Sequence, residues 1–321
     1  FANGLALGII WGLVVSYLEG RRRSEILLAG LSTSFIVASG AVKDCGRLLM
    51  SGLGVTEWWM PAATGLLFLP PFFVSVWLLD RIPDPSDEDV RARVEREPMT
   101  RRERIAFLRA FFPGLALLFG AYFLVTAYRD FRDNYMLELF KGLGAANDHA
   151  LFTLTETFVA FGVLVSLAFL NLIRDNRLGL LGAYAVMASG TLLLGGSTLL
   201  REQGLIDGFW WMTLVGLGAY LTYVPYNSLL FDRLIAHTGT IGTAVFAIYV
   251  ADAIGYIGSV GILVYKDLGQ GEMSRLEFFT SFSYALAVIG TSALLLSGAY
   301  FLRRRESARA VEPLPKSAET A

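Results

Sequence analysis

The feature that most restricts the fold of this chain is a series of long apolar segments. Each is close to the roughly 20 residues that an α-helix needs to cross a lipid bilayer, and nine of them follow one another in the sequence. They span residues 2–19, 25–43, 58–80, 111–131, 150–173, 178–200, 209–231, 240–265 and 278–302. Only 17% of the 321 residues are charged, whereas soluble domains carry about a quarter. The sequence therefore predicts an all-α, polytopic membrane protein with nine transmembrane helices.

The distribution of lysine and arginine around these segments predicts how the chain crosses the membrane. Of the 27 basic residues, 19 fall on the side that holds residues 81–110 and the C-terminus, and 8 fall on the opposite side. Because basic loops tend to stay in the cytoplasm, the first side is predicted to be cytoplasmic. Phe1 is then predicted to lie outside and the C-terminus inside.

One long hydrophilic stretch, residues 81–110, divides the apolar segments into three and six. We expect it to be a cytoplasmic linker that contains a short charged helix, with Ser86 as its N-cap. Residues 1–80 would then form part of an N-terminal transmembrane bundle, and 111–303 a complete six-helix bundle. Residues 304–321 are predicted to be a disordered cytoplasmic tail.

An offset of 212 residues pairs similar positions in the two halves of the chain. Gly4 then corresponds to Gly216 and Arg21 to Arg233, and both copies run inward, turn at basic residues and run outward. Duplicated halves are common in membrane transporters. If the first two spans correspond to the seventh and eighth, the first half lacks three spans. Together with an outside N-terminus, this predicts that three further helices precede Phe1 and pack with this chain.

Two stretches resemble the major facilitator superfamily, whose architecture is six spans, a charged cytoplasmic linker and six more spans. They are "SYLEGRRRSEILLAGLSTSFIVASG" and "SLLFDRLIAHTGTIGTAVFAIYVADAIG", which look like that superfamily's fourth-to-fifth and tenth-to-eleventh helix turns. More narrowly, "GIIWGLVVSYLEGRRRSE", "WLLDRIPDPSDEDVRAR" and "TAYRDFRDNY" resemble a bacterial membrane-protein family called domain of unknown function 5690. The resemblance implies a two-bundle secondary transporter of the bacterial inner (plasma) membrane. It implies no substrate.

Two carboxylates lie inside predicted spans, where a charge costs about 2.5–3.5 kcal/mol. Asp252 lies roughly 17 Å from the inner end of its span, close to the middle of the membrane. Glu156 lies about 9 Å below the outer end of its span. Both are candidates for a substrate or proton path, and Asp252 is the better candidate for proton coupling. The alternative for each is a structural hydrogen bond to a neighbouring helix.

The segment "YRDFRDNY", residues 128–135, places charges at the outer end of a span. Arg129 and Asp133 are four residues apart and could pair along the helix. Alternatively, Arg129 turns inward towards Glu156 and belongs to an extracellular gate or an anion-binding site. A third interpretation is a helical extension whose polar face is solvated.

A further set of polar residues lies in "YLTYVPYNSLLFDR". Tyr220, Tyr223 and Asn227 share one helix face, and Pro225 can kink the helix. We predict that these three side chains line the substrate path. Packing between helices is equally compatible with their spacing.

The inner turns of the two halves carry equivalent charged pairs. They are Glu19 with Arg21 and Asp232 with Arg233. We predict that salt bridges at these turns form a cytoplasmic gate between the two bundles.

Composition and motifs exclude several classes of function. The net charge of −1, without a basic run interleaved with aromatic residues, argues against a nucleic-acid partner. The single cysteine, Cys45, has no cysteine or histidine nearby, and no metal spacing, nucleophile elbow or phosphate loop is present. We therefore expect no enzyme activity, metal or cofactor, and we expect the bilayer and an unidentified small solute as partners. The predicted function is secondary transport by alternating access; the rival is a membrane sensor or scaffold that keeps the fold without transporting.

Overall fold

The computed structural model describes Leu13, Val14, Tyr17 and residues 24–83, 99–145, 150–238, 244–269 and 273–303, and every regular element among them is helical. The helices are α1 (Ser24–Leu53), α2 (Met60–Asp80), α3 (Arg101–Ala110), α4 (Phe112–Asn134), α5 (Met136–Gly142), α6 (Leu151–Asn171), α7 (Asn176–Glu202), α8 (Gly208–Pro225), α9 (Phe231–Thr238), α10 (Ala244–Val264) and α11 (Arg275–Arg303). Five-residue π-helical turns, Tyr226–Leu230 and Tyr265–Gly269, follow α8 and α10.

Within the described residues, six helices are long and apolar enough to cross a membrane. Their spans are Met60–Asp80, Phe112–Asn134, Leu151–Asn171, Asn176–Glu202, Val245–Leu268 and Arg275–Arg303. The prediction of a polytopic helical membrane protein is therefore confirmed, whereas the number of nine transmembrane helices is not. Most of the predicted span 2–19 lies outside the described residues, as does the predicted tail 304–321.

Two predicted spans differ from the structure for identifiable reasons. The segment 25–43 is only the first part of α1, which continues to Leu53 and carries several charged residues in its second half. The segment 209–231 lies in a helical stretch that is continuous from 208 to 238 but changes type, because Pro225 has no N–H to donate and a π-helical turn follows it before α9 begins. The regular α-helical hydrogen bonding is therefore interrupted at the turn that carries Asn227, a residue of the candidate site described below.

The helices that follow the linker pack side by side into one bundle. Helix α4 packs against α10 and α11, α11 also packs against α7, and α8 lies against both α7 and α6. The inward face of α4 is completely buried at Leu118, Tyr122 and Val125. This arrangement places the middle of α4 beside the middle of α10.

Helix α1, which precedes the linker, packs along α6 of this bundle. The approach is close at Gly40, where an added Cβ would lie 2.6 Å from the carbonyl oxygen of Phe152. A glycine is needed there because a larger side chain would push the two helices apart. The parts of the chain before and after the linker therefore meet along α1 and α6.

Helix α2 differs from the bundle helices in how little of it is covered. Of its most apolar stretch, 6% is buried, compared with 56% for α4. Its exposed residues are large and apolar, among them Leu66, Phe73 and Trp77. A helix with an exposed apolar surface of this kind is stable in contact with lipid and would be unstable in water.

The described end of the linker contains α3, which fits the expected short charged helix. Its N-cap is Thr100, whose hydroxyl accepts from the Glu103 N–H while the Glu103 carboxylate accepts from the Thr100 N–H. This backbone hydrogen bond lowers the pKa of Glu103. The predicted cap at Ser86 lies outside the described residues.

Candidate functional site

A carboxylate and a phenol meet in the middle of the bundle. Asp252 lies about 12 Å along α10 from Ala244, and Tyr122 lies about 15 Å along α4 from Phe112. The Tyr122 hydroxyl donates a hydrogen bond to Oδ1 of Asp252. Both groups therefore lie near the middle of their helices. If these helices span a bilayer core of about 30 Å, this is the mid-membrane depth that the sequence predicts for Asp252.

Asn227 completes the polar group from the π-helical turn after α8. Its Nδ2 donates to the Tyr122 hydroxyl at 3.1 Å. The Tyr122 hydroxyl has one proton, which it donates to Asp252, so towards Asn227 its oxygen can only accept. The Asn227 amide must therefore turn its NH2 group, and not its oxygen, towards Tyr122. Consequently Oδ1 of Asn227 points away from Tyr122; it is buried and accepts no hydrogen bond from the described residues.

Helix α10 comes close to α4 beside this group. A Cβ at Gly255 would lie 2.8 Å from both Oγ1 of Thr126 and Cε1 of Tyr122. Oγ1 of Thr126 is buried and has no hydrogen-bond partner among the described residues. Asn227 and Thr126, each with a buried oxygen atom that lacks a hydrogen-bond partner among the described residues, therefore lie beside Tyr122, the phenol that bonds Asp252.

Two tyrosines connect this group to Arg129. The ring of Tyr223 stacks on that of Tyr122 with centroids 5.3 Å apart, and the Arg129 guanidinium lies 3.9 Å from the Tyr223 centroid. Nη2 of Arg129 also donates to Asp130 at 2.6 Å. The charge of Arg129 is therefore balanced by Asp130. Arg129 pairs with neither Asp133 nor Glu156, the two partners that the sequence allows.

Glu156 instead binds Arg132, one helical turn further along α4. Nη1 of Arg132 donates to Oε1 of Glu156 at 2.7 Å, and its Nη2 donates to the carbonyl oxygen of Met212 at 3.0 Å. Both side chains are almost completely buried. A Cβ at Gly216 would lie 2.5 Å from Nη2 of Arg132, so α8 needs a glycine to accommodate the guanidinium. The sequence alone points to Glu156 but not to its partner Arg132.

Asp133 faces α1. It accepts a hydrogen bond from Oγ of Ser39 at 2.7 Å and forms an ion pair with Lys43. The next residue of α1, Asp44, accepts from both the N–H and the hydroxyl of Thr153, at 2.7 Å each. Thr153 is in the first turn of α6, where backbone N–H groups have no partner in their own helix. We call these contacts of Ser39, Lys43 and Asp44 with α4 and α6 the α1 contacts.

Sequence reasoning had assigned no site role to Ser39, Lys43 or Asp44. The available signal is the charged "KDCGR", which follows an apolar segment directly and without a proline to end the helix. Tyr220, predicted on the same face as Tyr223 and Asn227, is buried and packs edge-on against Phe35 of α1 at 6.2 Å. Of the three predicted path residues, Tyr223 and Asn227 therefore lie in the group around Tyr122.

Of the predicted cytoplasmic gate, the structure describes Asp232 and Arg233, whereas Glu19 and Arg21 lie outside the described residues. Nη2 of Arg233 donates to the carbonyl oxygen of Ile173 at 3.0 Å, and its Nη1 donates to Oδ1 of Asn176 at 3.1 Å. Arg233 thus connects α9 to the turn between α6 and α7 within the same bundle. Asp232 is exposed on α9.

Long apolar helices, a buried Arg132–Glu156 pair and a partly buried aspartate at mid-depth define a polytopic α-helical membrane protein. Residues 1–304 match a family model described as "Family of unknown function (DUF5690)", so the chain belongs to that family. The narrower resemblance seen in the sequence is thereby confirmed, while the broader one to the major facilitator superfamily stays a prediction. Comparison with curated proteins found no match, and comparison with solved structures found none.

Proposed function

We propose that this protein is a secondary transporter that moves a small solute across the membrane by alternating access. Asp252 is the residue that binds the coupling proton or contacts the solute. The superfamily resemblance supports this reading, and so does the meeting of the parts before and after the linker along α1 and α6. The linker lies in the cytoplasm, and the charged end of α4 faces outward.

The main support is the electrostatic situation of Asp252. Placing a charged side chain at the centre of a membrane costs about 2.5–3.5 kcal/mol, so a residue of this kind is a candidate for a function that offsets the cost. No ion pair joins Asp252 to a lysine, arginine or histidine of the described residues, and its hydrogen-bond partner there is the neutral phenol of Tyr122. A proton or a cationic group of a solute would supply the missing positive charge.

The surroundings of Asp252 also support movement. Asn227 lies in a π-helical turn next to Pro225, where the helix is already interrupted. The α1 contacts hold the two parts together at the end of the bundle that carries Asp133. In the proposed cycle, this end is closed, and release of the α1 contacts lets α1 separate from α4 and α6.

Proton movement in proteoliposomes tests this proposal. The full-length protein is reconstituted with a pH-sensitive dye inside, and a panel of amines, carboxylates, sugars and amino acids is added under an imposed pH gradient. At least one solute should change the internal pH with wild-type protein and not with Asp252→Asn. Asp207→Asn is the matched control, because Asp207 is an exposed helix N-cap and asparagine caps equally well. No solute-dependent signal above that of empty liposomes would favour the sensor or scaffold.

The orientation is tested by cysteine labelling in intact cells. In a Cys45→Ser background, an impermeant reagent should label Asn134→Cys at the end of α4 and spare Arg104→Cys in α3. Both positions are exposed. The reverse pattern would overturn the orientation.

A further inference from the structure

Asp252 has neighbours that favour one kind of ligand. We propose that Asp252 binds the ammonium group of an organic amine, with Tyr249 and Tyr256 of α10 contacting the rest of the molecule. The inference builds on the proposed function by naming the substrate class of the same site. It is tested by binding alone, so that it can fail or succeed separately from transport.

Two buried polar atoms beside Tyr122 lack a partner in the described part of the chain and can accept hydrogen bonds. They are Oδ1 of Asn227, which can only accept, and Oγ1 of Thr126, which can accept as well as donate. An ammonium group carries a positive charge and N–H donors, so it matches the charge of the carboxylate and the acceptor character of its surroundings. A carboxylate or phosphate ligand would face these same acceptors and be repelled. A neutral ligand would leave the charge of Asp252 uncompensated, which is costly inside a membrane.

Tyrosines lie on both sides of Asp252 along α10. Tyr249 precedes it by three residues and Tyr256 follows it by four, so all three share one helix face. The exposed fractions of Tyr249 and Tyr256 are 66% and 60%. Aromatic rings attract cations through their negative faces and also provide apolar surface. An amine with an apolar substituent would therefore contact the acid and the rings at once.

Arg129 is near enough to attract Asp252 electrostatically, but its ion pair is with Asp130 and not with Asp252. Its guanidinium donates to Asp130 through both Nε and Nη2, at 3.0 and 2.6 Å. It also lies over the ring of Tyr223, which in turn stacks on Tyr122. Its charge is thus balanced by another carboxylate, and a place for a positive group remains at Asp252.

The test measures binding of 2-phenylethylammonium to the purified full-length protein in detergent. The radiolabelled amine should bind to wild type, and unlabelled amine should displace it at concentrations at least about 10-fold lower than 2-phenylethanol or 3-phenylpropionate. These two competitors keep the ring and replace the positive charge by no charge or by a negative one. Equal competition by the alcohol, or better competition by the acid, would overturn the proposal.

Two variants locate the binding site, and two more serve as their controls. Asp252→Asn should weaken binding by about 10- to 100-fold, because the ammonium group then meets a neutral amide oxygen in place of a carboxylate charge. Tyr256→Leu should weaken it by about 2- to 5-fold, and Tyr256→Phe should leave it unchanged, because the ring and not the hydroxyl attracts the cation. Asp207→Asn should bind as wild type does. Tyr256 is largely exposed, so Tyr256→Leu keeps the test decisive even where Asp252→Asn folds poorly.

Binding that is unchanged in Asp252→Asn and in Tyr256→Leu would refute the amine site. If the amine does not bind while Asp252→Asn still abolishes solute-driven proton movement, the substrate class is wrong and the transporter proposal stands. If the amine binds through Asp252 and no solute moves protons, the amine site stands and proton-coupled transport is refuted.

Discussion

Glu156 and Asp252 are both carboxylates inside the helical bundle, and their surroundings differ in one decisive respect. Glu156 is buried against the guanidinium of Arg132, which a backbone carbonyl oxygen holds in place. Asp252 is partly buried and accepts a hydrogen bond from an uncharged phenol. The first carboxylate forms an ion pair, whereas the second forms none with the described residues and has only the longer-range attraction of Arg129. A buried ion pair makes each partner depend on the other for stability, and a carboxylate without an ion pair is free to take a proton or a ligand.

The two carboxylates also differ in depth. Glu156 lies in the second turn of α6, near the end of the bundle where the α1 contacts lie. Asp252 lies at the middle of α10, beside the interrupted helix that follows α8. The ion pairs Arg132–Glu156 and Lys43–Asp133 therefore lie towards one end, whereas Asp252 at the centre forms no ion pair with the described residues. Buried oxygen atoms without a hydrogen-bond partner among the described residues occur in both regions, at Glu156 and Asp44 and at Asn227 and Thr126. Substitutions at the two carboxylates should consequently have opposite effects on stability and activity.

The largest expected effect on stability is that of Glu156→Ala. It leaves the Arg132 guanidinium buried without its counter-ion, and breaking a buried pair in this way costs about 3–5 kcal/mol. The free energy of unfolding is measured in mixed detergent micelles. The double variant Arg132→Met with Glu156→Leu should recover most of the loss, because both charges are then removed. A double variant that loses as much stability as the single one would show that the pair is not the source of the effect.

A smaller loss is expected for Gly216→Ala, which tests the space beside Arg132. The added Cβ would lie 2.5 Å from Nη2 and 2.6 Å from Cζ of Arg132, so the guanidinium must shift. Overpacking of this kind costs about 1–3 kcal/mol. Gly120→Ala is the control, because no heavy atom lies within 4 Å of its added Cβ. Equal stability of the two variants would contradict the tight fit around Arg132.

The smallest effect on stability is expected for Asp252→Asn. Asparagine keeps the size of the side chain and can still accept from Tyr122, so the free energy of unfolding should change by less than about 1 kcal/mol. Proton movement should nevertheless be lost. The same unfolding measurement, combined with the proteoliposome experiment, checks both results. A large loss of stability with normal proton movement would place Asp252 in the same structural class as Glu156.

The sequence predicted individual membrane helices better than it predicted how they contact one another. Length and apolar composition are local properties, so spans such as 111–131 and 278–302 correspond to the continuous helices α4 and α11. The segment 209–231 is interrupted after Pro225, and although a proline can be read from the sequence, the π-helical turn that follows depends on how neighbouring helices satisfy the freed carbonyl groups. The charges in the second half of α1 are tolerated because α4 and α6 supply partners.

The candidate site shows the same division between local and tertiary information. Its depth and its acid could be predicted, since a helix rises by a fixed distance per residue and charges in apolar segments are rare. Its partners could not, because Tyr122 lies 130 residues from Asp252 along the chain. The sequence offered Arg129 as a partner for Glu156 and did not identify Arg132, since the rotation of α4 about its axis is set by packing against α8, α10 and α11.

The sequence by itself determined that the chain is a polytopic helical membrane protein, that it resembles its family, and that a carboxylate lies near the centre of the membrane. These properties follow from composition and from distances along one helix. Only the tertiary structure decided which carboxylate has a counter-ion. Compensation of a charge depends on atoms within about 4 Å, and these come from helices that are distant in sequence: Arg132 reaches Glu156, and a neutral tyrosine reaches Asp252.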